Sequence, residues 1–192
     1  MVNPVTIIIA LLMVAVSVIS VLGGRVWESR ISPPSPYIIG GFPECGDDIP
    51  TVPPKYAKAY LEAADVTDHS PTACQLARQG YFESHWQSGV VSPAGAVGIA
   101  QFLPATAEDY GIDPHNYVQS IGAQAKYMAH LMSVWHHHDR SPAEIYRLAL
   151  ASYNDGIGNM LKSQRRHGWI TWEEARPHLP QETRDYVMRI AK

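Results

Sequence analysis

The sequence predicts an all-α, or nearly all-α, domain carried behind an apolar segment and a proline-rich spacer. Three observations support that prediction. From Lys55 onward apolar residues recur at helical spacing. No period-2 alternation runs long enough for a sheet, and there is no internal repeat or low-complexity tract. Helix punctuation also recurs, with Pro53-Pro54, Ser70-Pro71 and Ser141-Pro142 as starts and Gly111, Gly156 and Gly168 as stops. A chain of 192 residues, 46% of them hydrophobic, has room for one domain with a real core plus extensions.

Taken in order, residues 1–24 read as a transmembrane anchor. Val5 to Leu22 carries no charge, and only Thr6, Ser17 and Ser20 break its apolar run. Eighteen helical residues span roughly 27 Å, close to the roughly 30 Å hydrocarbon core. A cleaved signal peptide is the alternative. Against it, no Lys or Arg precedes the run and no small-x-small cleavage site lies near Leu22-Gly23-Gly24. Arg25 and Arg30, partly offset by Glu28, mildly favour a cytoplasmic C-terminus; the catalytic reading below requires the opposite side. Residues 25–54 form the spacer. Seven prolines between Ile31 and Pro54 prevent a helix or a central strand, and fully extended the stretch reaches roughly 70 Å.

Residues 55–192 form the helical domain. Expected helices are Lys55–Ala64, Pro71 to about Trp86, Pro104–Tyr110, Val118–Trp135, Ala143–Tyr153, Ile157 to about Arg166, and Gln181–Ala191. Ser70-Pro71 and Ser141-Pro142 supply N-caps with proline in the first turn. The net charge of −3 gives no electrostatic case for a nucleic-acid partner. Cys45 and Cys74 lack metal-ligand spacing, and a disulfide and two free thiols both stay open.

Within this domain Glu83 is the candidate for chemistry. Ala73, Leu76, Gly80 and Glu83 fall at i, i+3, i+7 and i+10 on one helix face. Ala73 and Leu76 are expected to point inward, placing Glu83 at the end of an apolar stripe with Gly80 leaving room beside it. A partly desolvated carboxyl there has a raised pKa, as a general acid acting on a glycosidic oxygen needs. A capping or salt-bridged glutamate is the plainer reading of a lone Glu, and spacing alone does not overturn it. The residues that follow do. A turn on Ser92, Pro93 and Gly95 leads into a small-residue run ending at Gln101, a wall where a ligand approaches backbone closely.

The run Glu83-Ser84 … Ser92-Pro93-Ala94-Gly95-Ala96-x-Gly98-Ile99-Ala100-Gln101-x-x-Pro104-x-Thr106-Ala107 resembles the first motif of the soluble lytic transglycosylase (SLT) family. Ala151-Ser152-Tyr153-Asn154-Asp155-Gly156 resembles its Ala-Tyr-Asn-x-Gly motif, and Glu182-Thr183-x-x-Tyr186-Val187 its Glu-Thr-x-x-Tyr-Val ending. The resemblance spans roughly 55–191 in family order and implies a lysozyme-like α domain. It also implies cleavage of the MurNAc–GlcNAc β-1,4 bond of peptidoglycan without added water, leaving 1,6-anhydroMurNAc. Glu83 would act first as acid and then as base, the substrate's N-acetyl group assisting, so that one carboxylate suffices.

By the same resemblance Ser92 and Tyr153 lie near Glu83 and orient the N-acetyl group. Gln101 and Asn154 hydrogen-bond in the sugar cleft, and Glu182 binds sugar or supports its wall. The sequence departs from the family at Ile99-Ala100, where Leu-Met is usual, and at Ser152, where Ala is usual. No cofactor or metal is implied. The expected partners are peptidoglycan glycan strands and, through the N-terminal segment, a membrane, with the catalytic domain on the periplasmic or wall side. A bacterial envelope enzyme and a phage lysis or entry protein, including a bacteriolytic signal-anchor endolysin, both fit. The rival readings are a goose-type lysozyme-like hydrolase and a catalytically vestigial wall-binding or virion module.

Other signals are weaker. His136-His137-His138-Asp139 resembles a metal tract, but consecutive residues on a helix point about 100° apart and are not expected to converge. Gly95-x-x-Gly98 lacks the lysine and the strand–helix context of a phosphate loop. Trp135, Trp169 and Trp172 are expected in the core rather than as sugar platforms. Arg165-Arg166-His167 reads as an exposed basic face.

Overall fold

The computed structural model describes residues 42–64 and 70–192. The segment Val5–Leu22, and with it the anchor and the first part of the spacer, lies outside the described residues. Among those described, no helix is long and apolar enough to cross a membrane.

The described chain is helical. Its helices are α1 (Pro54–Ala64), α2 (Ala73–Ser84), α3 (Pro104–Asp109), α4 (Tyr117–Trp135), α5 (Pro142–Asp155), α6 (Ile157–His167), α7 (Trp172–Ala175) with a 3-10 turn (Arg176–His178), and α8 (Gln181–Ile190). The only β geometry among the described residues is a pair of isolated antiparallel bridges, Val91 to Val97 and Val97 to Phe102. The expected helices therefore recur to within a few residues. The start of α2 differs: Thr72, not Ser70, is its N-cap, in a reciprocal capping box with Gln75. Ser141 caps α5 as expected, with Glu144 completing the box. Helix α7 was not expected, although Thr171-x-x-Glu174 writes the same capping box in the sequence.

Two apolar clusters form the core. One joins Tyr56, Tyr60, Leu76, Ala77, Trp86, Ile99, Phe102 and the first half of α4. The other joins the second half of α4 to α5, α6, α7 and α8 through Leu131, Trp135, Leu148, Met160, Trp172 and Val187. Phe82, Tyr127 and Tyr153 pack against both. Helix α4 is the shared spine, and the seam between the clusters runs past the end of α2. All three expected core tryptophans, Trp135, Trp169 and Trp172, are buried in the second cluster.

The end of the spacer is part of this domain. Residues 42–53 do not stand off as extended chain: Ile49 and Val52 are buried, and Cys45 is disulfide-bonded to Cys74. The bridge links positions 29 residues apart in sequence, a loop whose closure removes roughly 3–4 kcal/mol of unfolded-chain entropy in the chain-entropy account. The His tract also differs from expectation. Helix α4 stops at Trp135 and the chain turns, so His137, His138 and Asp139 bring their ligand atoms within 4.8 Å of one another. Both imidazoles face Asp139, at 3.4 and 3.2 Å, and all three side chains are exposed.

Ser152 shows how a small polar residue is used inside. It is fully buried, accepts the indole N–H of Trp135 at 2.7 Å, and donates to the carbonyl of Leu148 at 2.8 Å. Ser152→Ala leaves a buried indole N–H without its partner, which costs about 1–3 kcal/mol. Chemical denaturation of the two proteins is expected to show that loss with an unchanged m-value.

Candidate active site

Helix α2 places Glu83 in its last turn, at the seam between the two clusters. The stripe leading to it is not the one the spacing suggests. Leu76, Ala77 and Gly80 are buried while Ala73 is only half-buried, and the buried face also carries the polar pair Arg78 and Gln79. Gly80 leaves no room for a ligand: a Cβ there would lie 2.1 Å from the hydroxyl of Tyr60. The glycine exists so that Tyr60 can pack under the helix.

Glu83 is half-buried, and its one hydrogen bond to a described residue comes from Tyr186, whose hydroxyl donates to Oε1 at 2.5 Å. Desolvation raises its pKa from 4.5 to about 7, against the opposing pull of the Tyr186 hydrogen bond. No basic side chain among the described residues pairs with it. A carboxyl in this state holds its proton near neutrality and can also give it up.

The wall formed by residues 85–102 packs against the end of α2. After α2 the chain reverses through His85 and Trp86, both with positive φ (54° and 58°), and Trp86 is buried with its indole N–H on the carbonyl of Ala77 at 2.8 Å. Buried Ser84 donates to the carbonyl of Ile99 at 2.9 Å, joining the end of α2 to the far side of this wall. Gly98, at φ 78°, is required because a Cβ there would sit 1.9 Å from the carbonyl oxygen of Pro114. The close backbone approach expected in this stretch is therefore made by the protein's own Pro114 loop.

The five predicted binding residues separate into two groups. Gln101, Tyr153 and Asn154 line one cavity of about 250 Å³, with Phe102, Thr106, Tyr127 and Asp155. Tyr153 links that cavity to the acid: its hydroxyl donates to the carbonyl of Ala100 at 2.7 Å, and it lies close enough to Glu83 to feel its charge. Burial holds this phenol well above its usual pKa. Asn154 accepts from Thr183 at 2.8 Å, tying α5 to α8. Ser92 and Glu182 do not line this cavity. Ser92 closes its own turn, its hydroxyl accepting from the backbone N–H of Ala96 at 3.0 Å, and Glu182 is exposed in the first turn of α8. In the Glu182-Thr183-x-x-Tyr186-Val187 motif, the residue that reaches Glu83 is Tyr186, one turn beyond Glu182. A larger concavity of about 800 Å³ lies elsewhere, beside the Cys45–Cys74 bridge, and Glu83 is among the lining residues of neither cavity.

Residues 66–174 match the family model of the transglycosylase SLT domain. The chain belongs to the SLT family. Among similar proteins is membrane-bound lytic murein transglycosylase F 1 of Alkalilimnicola ehrlichii, 34% identical over 138 residues, covering 66% of this chain and 26% of that protein. Another is membrane-bound lytic murein transglycosylase F of Pasteurella multocida, 35% identical over 118 residues, covering 61% of this chain and 23% of the relative. The chain thus spans about a quarter of the length of these relatives. The 70 kDa soluble lytic transglycosylase SLT70 of Escherichia coli shares the fold, with a TM-score of 0.54 and 19% identity over 72% of this chain and 23% of that one.

In this SLT domain the departures from the family pattern are structurally absorbed. Ile99 and Ala100 are both fully buried, Ala100 offering its carbonyl to Tyr153, and Ser152 holds Trp135 as described. The desolvation of Glu83 carries a linkage consequence. Below about pH 4.5 both folded and unfolded Glu83 are protonated, and burial costs little. As pH rises through 7 the folded protein must ionise a desolvated carboxyl, so the cost is complete above the folded pKa. That difference is on the order of 3 kcal/mol. Glu83→Gln is therefore expected to raise the melting temperature by several degrees at pH 8 and to change it little at pH 4, in parallel thermal scans.

Proposed function

We propose that this chain is a peptidoglycan lytic transglycosylase domain whose acid and base are both Glu83. The observation that carries the reading is the state of that carboxyl: half-buried, unpaired by any cation among the described residues, raised to a pKa of about 7 and held at one oxygen by Tyr186. Membership of the SLT family and the names of its relatives, lytic murein transglycosylases, support the substrate class.

Tyr186 occupies Oε1, so the acidic proton is carried on Oε2. Glu83 gives that proton to the glycosidic oxygen between MurNAc and GlcNAc as the C1–O bond breaks. The N-acetyl carbonyl oxygen of the MurNAc closes on C1 and holds the developing positive charge. Glu83, now a carboxylate, takes the proton of the C6 hydroxyl, and O6 displaces the N-acetyl oxygen from C1 to leave the 1,6-anhydro sugar. The carboxyl ends protonated as it began, and no water is consumed. Substrate assistance of this kind replaces the second carboxylate that most glycosidases need. Gln101, Tyr153 and Asn154 would contact sugar along their shared cavity. Since the Tyr153 proton is engaged by Ala100, that phenol serves substrate as an apolar face and an acceptor. Ser92 and Glu182 retain a supporting place, Ser92 by shaping the wall and Glu182 at the open end of α8.

The N-terminal segment would anchor this domain to a membrane with the catalytic part on the wall side, in wall remodelling or in phage entry or lysis. The hydrolase alternative needs a second carboxylate as base, and Asp155, on the cavity wall with its pKa raised by burial, is the available one.

Purified murein digested with the protein is expected to yield muropeptides lighter by one water than hydrolysis products, with no reducing end. Glu83→Gln should lower the rate by about 10²–10⁴-fold with the fold retained by circular dichroism. Reducing-end products that disappear in Asp155→Asn would establish the hydrolase instead, and full activity of Glu83→Gln would remove this carboxyl from the mechanism.

A further inference from the structure

Behind Tyr186 stand two glutamines that the catalytic reading does not use. Gln79 on α2 and Gln124 on α4 are both completely buried. Gln124 Nε2 donates to the backbone carbonyl of Leu76 at 3.2 Å and to Gln79 Oε1 at 2.9 Å. Gln79 Nε2 in turn donates to the hydroxyl oxygen of Tyr186 at 3.1 Å, and Tyr186 donates to Glu83. Gln124 Oε1 meets no donor among the described residues, and a buried acceptor left in that state costs about 1–3 kcal/mol.

The chain has only one consistent direction. A backbone carbonyl can only accept, so Gln124 must turn its NH2 toward Leu76. The same nitrogen then meets Gln79, which must present its oxygen there and its NH2 toward Tyr186. An amide N–H directed at the Tyr186 oxygen leaves that hydroxyl as a donor, and the group it faces is Glu83. We propose that Gln79 and Gln124 are positioning residues that lock the Tyr186 hydroxyl as a donor to Glu83 Oε1, so that the acidic proton resides on Oε2, the oxygen left for substrate. The inference rests on the reading of Glu83 as the proton donor, and extends it to two residues that touch no substrate.

Without the lock, the Tyr186 oxygen becomes available as an acceptor, and protonated Glu83 can direct its proton there instead of toward the glycosidic oxygen. The ionised carboxylate also loses the polarisation that Gln79 lends to the Tyr186 hydroxyl. Both effects favour the protonated form, so the Glu83 pKa moves up. The titratable groups facing Glu83 are Tyr186 from α8 and Tyr153 from α5, and burial keeps both phenols un-ionised across the working range. No charged side chain among the described residues hydrogen-bonds to or pairs with the carboxyl.

The test uses the full chain and Gln79→Met, Gln124→Met, the double variant and Tyr186→Phe. Glu83 is titrated by 13C NMR of labelled glutamate carboxyls, with Glu83→Gln identifying its resonance, and kcat and KM are followed against pH on murein. Gln79→Met and Gln124→Met are each expected to raise the Glu83 pKa by about half a unit or more. The alkaline limb of kcat should move with it, and kcat at its optimum should fall about 3–10-fold with KM within about twofold. Gln124→Met should add nothing in the Gln79→Met background, and neither glutamine should matter after Tyr186→Phe. The double variant, which replaces a half-satisfied polar pair by apolar groups of similar volume, keeps the test open should a single variant fold poorly. A carboxyl titration unmoved in folded variants, or single effects that simply add, would overturn the lock. That outcome is separate from the failure of Glu83 itself, which would appear as wall cleavage persisting in Glu83→Gln.

Discussion

The geometry of the site depends on Arg78. This side chain is 5% exposed, and its guanidinium is committed on every side. Two nitrogens face the carboxylate of Asp48 at 2.6 and 3.1 Å, one also reaches the carbonyl of Cys45, and the remaining donors hold the carbonyls of Arg189 and Ile190 at 3.0 Å. A buried charge is tolerated only when it is paired and hydrogen-bonded in this way. The last two contacts place a cation at the C-terminus of α8, where unpaired carbonyls and the helix dipole favour it. They also fix α8 against α2. Glu83 lies five residues after Arg78 and Tyr186 four residues before Ile190, so one guanidinium sets the distance between the acid and its hydroxyl. Asp48, whose carboxyl the Arg78 and Lys192 hydrogen bonds hold far below the usual range, anchors the other end.

That clamp is matched by a rigid wall. The chain leaving α2 adopts left-handed backbone at His85 and again at Trp86, then returns through Gln101 at φ 50°. Left-handed conformations cost non-glycine residues roughly 1–2 kcal/mol each, so the surroundings must impose them. They do so through the buried Trp86 ring, the Ser84 hydroxyl on Ile99, the Gln101 amide on the carbonyl of Gly98 at 2.9 Å, and the Pro114 carbonyl pressed against Gly98. The strain is concentrated in the segment that follows Glu83, and it is held by these contacts.

The sequence revealed whatever depends on local order. Helical periodicity and Ser141-Pro142 located α4 and α5, and the order of three motifs pointed to Glu83. What escaped it depends on contacts across long separations. Nothing in the sequence says that Gly80 is small for the sake of Tyr60, or that the spacer's last residues are stitched down by Cys45 and Asp48. Gln79 and Gln124 look like ordinary helix formers until their side chains are seen to meet, 45 residues apart. Tyr186 was in plain view within a recognised motif, but α8 has to pack before its hydroxyl points anywhere. The His tract lies exposed past the end of α4, and helix pitch does not govern its side chains because the helix ends at Trp135.

In the proposed mechanism one carboxyl must be acid enough to release a proton and basic enough to recover one in the same turnover, which places its useful pKa near neutrality. Desolvation alone would push a carboxyl at this seam further up, toward permanent protonation. A cation beside it would pull it far down, as happens at Asp48. A neutral hydroxyl donor is the intermediate solution. It stabilises the anion by a hydrogen bond without supplying a full charge, and it leaves the second oxygen free. A hydroxyl, however, can donate or accept, and a rotor that changes sense would move the proton to the wrong oxygen. A phenol can serve in this role only if something behind it fixes its direction. In this fold the groups behind Tyr186 are amides, whose own orientation traces back to a helix carbonyl that has no choice but to accept.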